Sequence, residues 1–352
     1  MLKRGAKIGI IGGGQLGRML ALAAYNLGFK TEIFEPQNNC PASLVSNTHI
    51  CADYDDINSL TEFAQNCDIV TFEFENIPIK AARIIEENAN LYPNSKSLEL
   101  TQDRLVEKNF IKTCNLECAP FFEINSLEDL QSAITKAGTP CILKTRRMGY
   151  DGKGQFVIKT PDDAQKAWDE IGQNPAIIEG FVKFDFETSI ILTRAIDGQI
   201  VFYPNSQNIH ENGILRTCIV PAPLNEKQIA KAQEIGAKIA NELNYVGTLA
   251  VELFVGDEIV VNEIAPRVHN SGHWTIEGTA TSQFINHIRA ICGLPLGNTE
   301  ICAPKIEMQN LLGDEILSIP ELLKSPNTYP HDYGKNEIKA GRKMGHVTRL
   351  IK

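Results

Sequence analysis

No apolar run in this 352-residue chain approaches the roughly 20 residues needed to cross a bilayer, so no membrane role is expected. The nine cysteines, at 40, 51, 67, 114, 118, 141, 218, 292 and 302, form no C-x-x-C pair and are odd in number. They read as reduced, mostly structural thiols rather than a disulfide framework. Cationic excess is also lacking: the net charge of −9 argues against nucleic acid as the main partner. The opening MLKRGAKIGIIGGG has its apolar run cut short by glycines, too early for a secretory signal, and a cytoplasmic location is expected. No internal repeat or low-complexity tract is evident. What is present is a globular composition, 43% hydrophobic and 22% charged, with enough length for two or three domains.

The chain is organised around residues 246–270, VGTLAVELFVGDEIVVNEIAPRVHN. Two apolar runs, each interrupted by a carboxylate, flank Gly256-Asp257, which predicts an antiparallel hairpin with a two-residue turn. That register sets Ala250 opposite Glu263 and Glu252 opposite Val261, so Glu252 and Glu263 are diagonal neighbours on one face, about 7–8 Å apart at the backbone. Two carboxylates so placed among apolar neighbours can converge on one hard cation. Strict alternation sends Asn262 to the opposite face.

Toward the N-terminus, Lys7–Ile11 predicts a strand, Gly12–Gly17 fits G-x-G-x-x-G, a helical stripe follows, and Lys30–Phe34 ends at Glu35. This is the dinucleotide fingerprint in its expected context, with glycines that admit a phosphate at a helix N-terminus. Residues 68–72 read as a third strand. Gln15, Glu35, Glu73 and Asn76 then fall at the ligand-binding edge of a parallel sheet, whereas Glu75 reads as a solvated loop acid.

Residues 98–113 predict one helix carrying Arg104, Lys108 and Lys112 on a stripe. Lys144 ends a short strand, and RRMGYDGKGQ (146–155) supplies three glycines and three cations suited to a mobile flap over phosphates. A strand ending at Glu179 leads into Gly180-Phe181-Val182, a setting where an adenine ring can pair with backbone groups. The last 18 residues hold Lys335, Lys339, Arg342, Lys343, Arg349 and Lys352 against Glu337, a local excess of +5 that suggests an anion site.

Taken together, the strand-end lysine, the flap, the acid-ended hinge strand and the paired acids of V-E-L…V-N-E resemble the ATP-grasp fold. Within it, GGGQLGRM, RRMGYDGKGQ, EIAPRVHNSGHWT and AGRKMGH are similar to the N5-carboxyaminoimidazole ribonucleotide synthases, from residue 8 to about 349. The resemblance implies an α/β and α+β protein: an N-terminal Rossmann-like (pre-ATP-grasp) domain (1–97), an ATP-grasp domain (98–298, with a lid at about 114–178) and a small β-rich C-terminal subdomain (299–352). It implies ATP, Mg²⁺ (or Mn²⁺), bicarbonate and 5-aminoimidazole ribonucleotide as ligands, and a homodimer. By position, Arg104 and Lys144 would hold ATP phosphates beneath Gly149, Tyr150, Asp151, Gly152, Lys153, Gly154 and Gln155. Glu179, Gly180, Phe181, Val182 and Glu187 would hold adenine and ribose, with His210 nearby, and Glu252 and Glu263 the metal beside Asn262. Arg267, His269 and Asn270 would grip bicarbonate and carboxyphosphate. Tyr150 and Asp151 would meet the aminoimidazole, Gln15 and Glu73 its ring and ribose, and Lys335, Arg342 and Lys343 its phosphate. Rival readings are another ATP-grasp ligase, such as formate-dependent glycinamide ribonucleotide transformylase, a nicotinamide-dependent oxidoreductase resting on Gly12, Gly14, Gly17 and Glu35, or a silent nucleotide sensor.

Overall fold

Three sheets carry the chain in a computed structural model that describes residues 1–149 and 153–352. The first is parallel, in the order β3-β2-β1-β4, from β1 (Lys7–Ile11), β2 (Lys30–Phe34), β3 (Thr48–Ile50) and β4 (Ile69–Phe72). The short edge strand β3 was not expected, and its three residues leave no periodicity to read. One face of this sheet packs on helix Gln15–Asn26 through Leu16, Met19, Leu20 and Ala23. The other packs Ile11, Phe34 and Phe72 on helices Ile57–Asn66 and Ile79–Asn88.

The single helix expected at 98–113 is two, Ser95–Thr101 and Arg104–Thr113. Asp103 breaks it, because its carboxylate caps Leu105 N–H at 3.0 Å and Val106 N–H at 3.4 Å while also receiving Arg146. Leu98 of the first helix joins the core of the N-terminal sheet.

The second sheet is antiparallel, β5 (Phe121–Ile124), β6 (Cys141–Thr145), β7 (Gln155–Ile158) and β8 (Ala176–Gly180) in the order β5-β8-β6-β7. The third comprises β9 (Phe186–Arg194), β10 (Ile200–Phe202), β11 (Ser206–Glu211), β12 (Ile214–Val220), β13 (Gly247–Val255), β14 (Ile259–Ala265), β15 (Lys305–Leu312), β16 (Thr328–Asp332) and β17 (Lys343–Ile351). Its order, β14-β13-β9-β11-β12-β15-β17-β16 with β10 on β9, makes the basic C-terminal segment continuous with the central hairpin. Helix Glu226–Glu242, begun by a capping box of Asn225 and Gln228, buries Ile235 and Ile239 against Leu249, Val251 and Leu253 of β13. The other face of β13, with Glu252 and Phe254, is left to a cleft. Among the described residues no helix is long and apolar enough to cross a membrane.

Candidate active site

A cavity of about 1000 Å³ lies where the three sheets meet. Its walls include Gln15, Glu73 and Asn76 from the parallel sheet's edge, and Arg104, Lys144, Gly149, Lys153 and Gln155 from the helix and the lid. Phe181, Glu187, His210, Glu252, Asn262, Glu263, Arg267, His269 and Asn270 come from the central sheet and its hinge. Lys335, Lys339, Arg342 and Lys343 close it from the C-terminal segment. Glu179, Gly180, Val182 and Gly154 do not line it, and Tyr150, Asp151 and Gly152 lie outside the described residues.

The hairpin register departs from the expected one in two ways that cancel. The turn has three residues, since Val255 pairs with Ile259, and strict alternation from there would place Glu263 on the face opposite Glu252. A bulge between Leu253 and Glu252 inserts Asn262 as the extra residue, so Glu252 pairs directly with Glu263. Asn262 therefore shares their face, contrary to expectation, with its Nδ2 3.5 Å from Glu252 Oε2. The burial of β14 bears the same mark: Ile259, Val261 and Ile264 point inward, at spacings of two and then three.

Burial, with the Glu263 carboxylate opposite, raises the pKa of Glu252. Two facing carboxylates beside a carboxamide form an oxygen-only donor set that calls for a hard divalent cation. Ligand atoms of Glu187, His210 and Glu252 also lie within 4.8 Å of one another, because β9, β13 and β11 present them on one face. Arg104 Nη1 donates to Glu263 Oε2 at 3.2 Å. Lys144 Nζ donates to Glu179 Oε2 at 2.8 Å, and Lys108 Nζ is 3.4 Å from the other oxygen. Burial works against the ionised Glu179 carboxyl, yet Lys144 and Lys108 hold its pKa at about 2. The Glu179 carboxylate is thus taken up by two lysines, one of them the cavity-lining Lys144, and the exposed ring of Phe181 faces the cleft two residues further on.

Past the hairpin, Arg267 is gripped in bidentate fashion by Glu75, through Nε and, at 2.9 Å, Nη2. Burial opposes it, but Arg267 holds the Glu75 pKa down at about 2. Glu75 is therefore no solvated loop acid; nothing local in the sequence marks a partner 192 positions away. His269 is also defined: Ser271 N–H donates to Nδ1 at 3.3 Å, so Nε2 carries the proton, 3.4 Å from Glu252 Oε1. Burial and the Arg267 charge lower its pKa to about 3, which keeps it neutral. Asn270 and Asn310 exchange amide hydrogen bonds at 2.9 and 2.8 Å, tying this loop to β15.

The glycine fingerprint receives a different correction. Glu73 Oε1 accepts from Gly14 N–H at 2.8 Å and Oε2 from Gly17 N–H at 3.0 Å, while Glu35 accepts from Gly13 N–H at 2.9 Å. The anion cradle of this turn is filled by the chain's own carboxylates. A Cβ on Gly14 would stand 2.6 Å from Glu73 Oε1, so the glycine admits an internal acid where the fingerprint predicts a phosphate. Glu73 still lines the cavity with both oxygens engaged, and Glu35 does not line it.

Known proteins resemble this chain over nearly its whole length. Residues 5–102 match the ribonucleotide synthetase preATP-grasp domain, 109–284 the ATP-grasp domain, and 307–352 the phosphoribosylaminoimidazole carboxylase C-terminal domain. An N5-carboxyaminoimidazole ribonucleotide synthase of Brucella melitensis is 46% identical over 99% of this chain and 97% of its own length. A crystal structure of an ADP complex of an N5-carboxyaminoimidazole ribonucleotide synthetase superposes with a TM-score of 0.96, at 43% identity over 100% of this chain and 94% of that one. The Aspergillus clavatus enzyme in complex with ADP and 5-aminoimidazole ribonucleotide does so with a TM-score of 0.93, at 30% identity over 99% and 94%. With all three of its domains matched and its length shared almost end to end, the chain belongs to the N5-carboxyaminoimidazole ribonucleotide synthase family, ATP-dependent ligases of the ATP-grasp fold.

Proposed function

We propose that the chain uses ATP and bicarbonate to carboxylate 5-aminoimidazole ribonucleotide on its exocyclic amine, in purine biosynthesis, through carboxyphosphate. The observation that carries this reading is one cleft that joins the opposed Glu252 and Glu263, the Arg267–His269 pair and the C-terminal cations. Glu252, Glu263 and Asn262 are assigned to Mg²⁺ (or Mn²⁺), which would neutralise phosphate charge when bound.

Arg104, Lys144 and the 149–155 segment are assigned to the ATP phosphates, and Phe181, Glu187 and His210 to the nucleoside. Bicarbonate is a poor electrophile until one oxygen becomes a leaving group. Attack of that oxygen on the γ-phosphorus releases ADP and forms carboxyphosphate, a step governed by positioning and charge neutralisation. Glu75 fixes the Arg267 guanidinium, and neutral His269 offers an N–H without adding charge; with Asn270 they would hold bicarbonate in line. Carboxyphosphate then breaks to CO₂ and phosphate, and the amine nitrogen forms the new N–C bond as its proton leaves. Exclusion of water keeps CO₂ from escaping. Tyr150 and Asp151 are assigned to the aminoimidazole, Gln15 and the Glu73-filled turn to ring and ribose, and Lys335, Arg342 and Lys343 to the ribonucleotide phosphate. A cytoplasmic homodimer of three domains divided near residues 97 and 298 completes the proposal.

ADP release should require both bicarbonate and 5-aminoimidazole ribonucleotide. Equal stimulation by glycinamide ribonucleotide with formate would move the chain to another ATP-grasp ligase. Glu73 in the fingerprint turn disfavours a nicotinamide cofactor there, and calorimetry with NAD should register no heat.

A further inference from the structure

The bulge that brings Glu263 opposite Glu252 lies on β14, the terminal strand of its sheet. An edge strand has an outward row of backbone groups with no ladder partner, and a bulge leaves its register open to relaxation. Here those outward groups are met by side chains from a helix packed beside the strand. Helix Arg104–Thr113 directs two consecutive residues, Glu107 and Lys108, at the bulge. Glu107 Oε1 accepts from Ile264 N–H at 2.6 Å, and Lys108 Nζ donates to the Asn262 carbonyl at 2.7 Å. One contact lies on each side of Glu263. Both side chains are almost wholly buried, 3% and 1% exposed, and Lys108 does not line the cavity. The next outward group, Val261 N–H, donates to the Glu117 carbonyl at 2.8 Å. Burying an acid and a lysine here is costly, and an apolar helix face would pack against the strand without it; Lys108 also faces Glu179 at 3.4 Å, whereas the Glu107 carboxylate is turned on the strand backbone. What it secures is the backbone conformation of Asn262–Ile264, and with it the side of the sheet on which Glu263 emerges.

We propose that Glu107 and Lys108 are positioning residues for the metal–nucleotide site: they clamp the bulged backbone and so hold the Glu263 carboxylate opposite Glu252. This rests on the assignment of Glu252 and Glu263 as metal ligands. The clamp acts through hydrogen bonds to main-chain atoms, so an acceptor is needed at 107 but a negative charge is not. Glu107→Gln keeps an oxygen for the Ile264 N–H, Glu107→Leu removes it, and Lys108→Met removes the donor at similar length.

The experiment measures Mn²⁺ binding by electron paramagnetic resonance to the full-length protein with ADP, alongside ADP affinity without metal and the unfolding midpoint. Lys108→Met and Glu107→Leu should weaken Mn²⁺ binding by about 10-fold to 100-fold, the range for lost outer partners of metal ligands, while metal-free ADP binding changes less than about threefold. Glu107→Gln should stay within about twofold of the unaltered protein. Unaltered Mn²⁺ affinity in folded Lys108→Met overturns the clamp. Should Lys108→Met not fold, the two Glu107 variants carry the test, and equal Mn²⁺ affinity in them overturns it. If Glu263→Gln binds Mn²⁺ as well as the unaltered protein, the ligand assignment itself has failed, a result distinguishable from failure of the clamp.

Discussion

Glu263 is defined by its neighbours: Glu252 across the ladder, Arg104 at 3.2 Å, and Asn262 beside it on the same face. Glu263→Gln preserves shape and removes the charge that a cation needs. Turnover should fall by about 100-fold or more with the unfolding midpoint held or raised, because the repulsion with Glu252 is relieved. Retained turnover in a coupled ADP-release assay would return Glu263 to a structural role. Glu75 is the residue whose importance was hidden, since its bidentate hold on Arg267 depends on two segments that meet only in the fold. Glu75→Gln keeps one acceptor and frees half of the guanidinium. We expect kcat/KM for bicarbonate to drop by about 10-fold to 100-fold while KM for ATP stays within about twofold, read from bicarbonate and ATP titrations. A drop shared equally by both substrates would count against a bicarbonate role for Arg267.

Among elements, the hairpin and the C-terminal strand matter most. The sequence periodicity of β13 correctly places Glu252 outside the core with Phe254, because alternation on a strand with one packed face admits a single phase. The turn length and the bulge escape that reasoning; the spacing of Ile259, Val261 and Ile264 was the one available signal. The C-terminal strand begins at Lys343 and pairs with both β15 and β16, so that lysine stands on ladder backbone at the cleft rim, which Lys335, Lys339 and Arg342 reach from the connection after β16. Lys343→Ala should raise KM for the ribonucleotide by about 10-fold to 100-fold, the worth of one charged hydrogen bond to phosphate, with kcat little changed. An unchanged KM would assign that phosphate elsewhere.

At the scale of the molecule, buried histidines join the parts. His287 on helix Gln283–Ile291 accepts the Thr248 N–H of β13 at Nδ1, 3.1 Å away, so Nε2 carries the proton toward Thr71 Oγ1 of β4 at 2.9 Å. His273 and His346 meet at the Tyr333 hydroxyl, 3.1 and 3.0 Å away, linking the loop after the hairpin to the C-terminal strands. Burial lowers the His287 pKa to about 3 and those of His273 and His346 well below the usual imidazole value. The unfolded chain gains a proton at His287 below about pH 6.5, and the folded chain does not until about pH 3. Stability from this group is thus complete above pH 6.5 and is lost as pH falls through that interval, with a slope approaching about 1.4 kcal/mol per pH unit. His287→Gln supplies an amide oxygen and an amide nitrogen to the same partners and should flatten the urea-unfolding stability between pH 6.5 and 5 by about that slope. Parallel curves for the two proteins would mean that His287 is charged in the folded state.

Much of the architecture was legible because it rests on local physics. Alternation turned the carboxylate of β13 out of the core, glycine spacing marked the first turn, and clustered cations in an acidic chain marked the cleft's far rim. Which partner each feature meets was decided only in three dimensions. The Gly12–Gly17 turn is filled by Glu73, Arg267 is held by Glu75, and Glu179 is occupied by two lysines. Periodicity reports which way a side chain faces, whereas a buried charge is met by whatever cation or N–H group the chain's path brings within a few ångströms, across sequence separations of 35 to 192 residues.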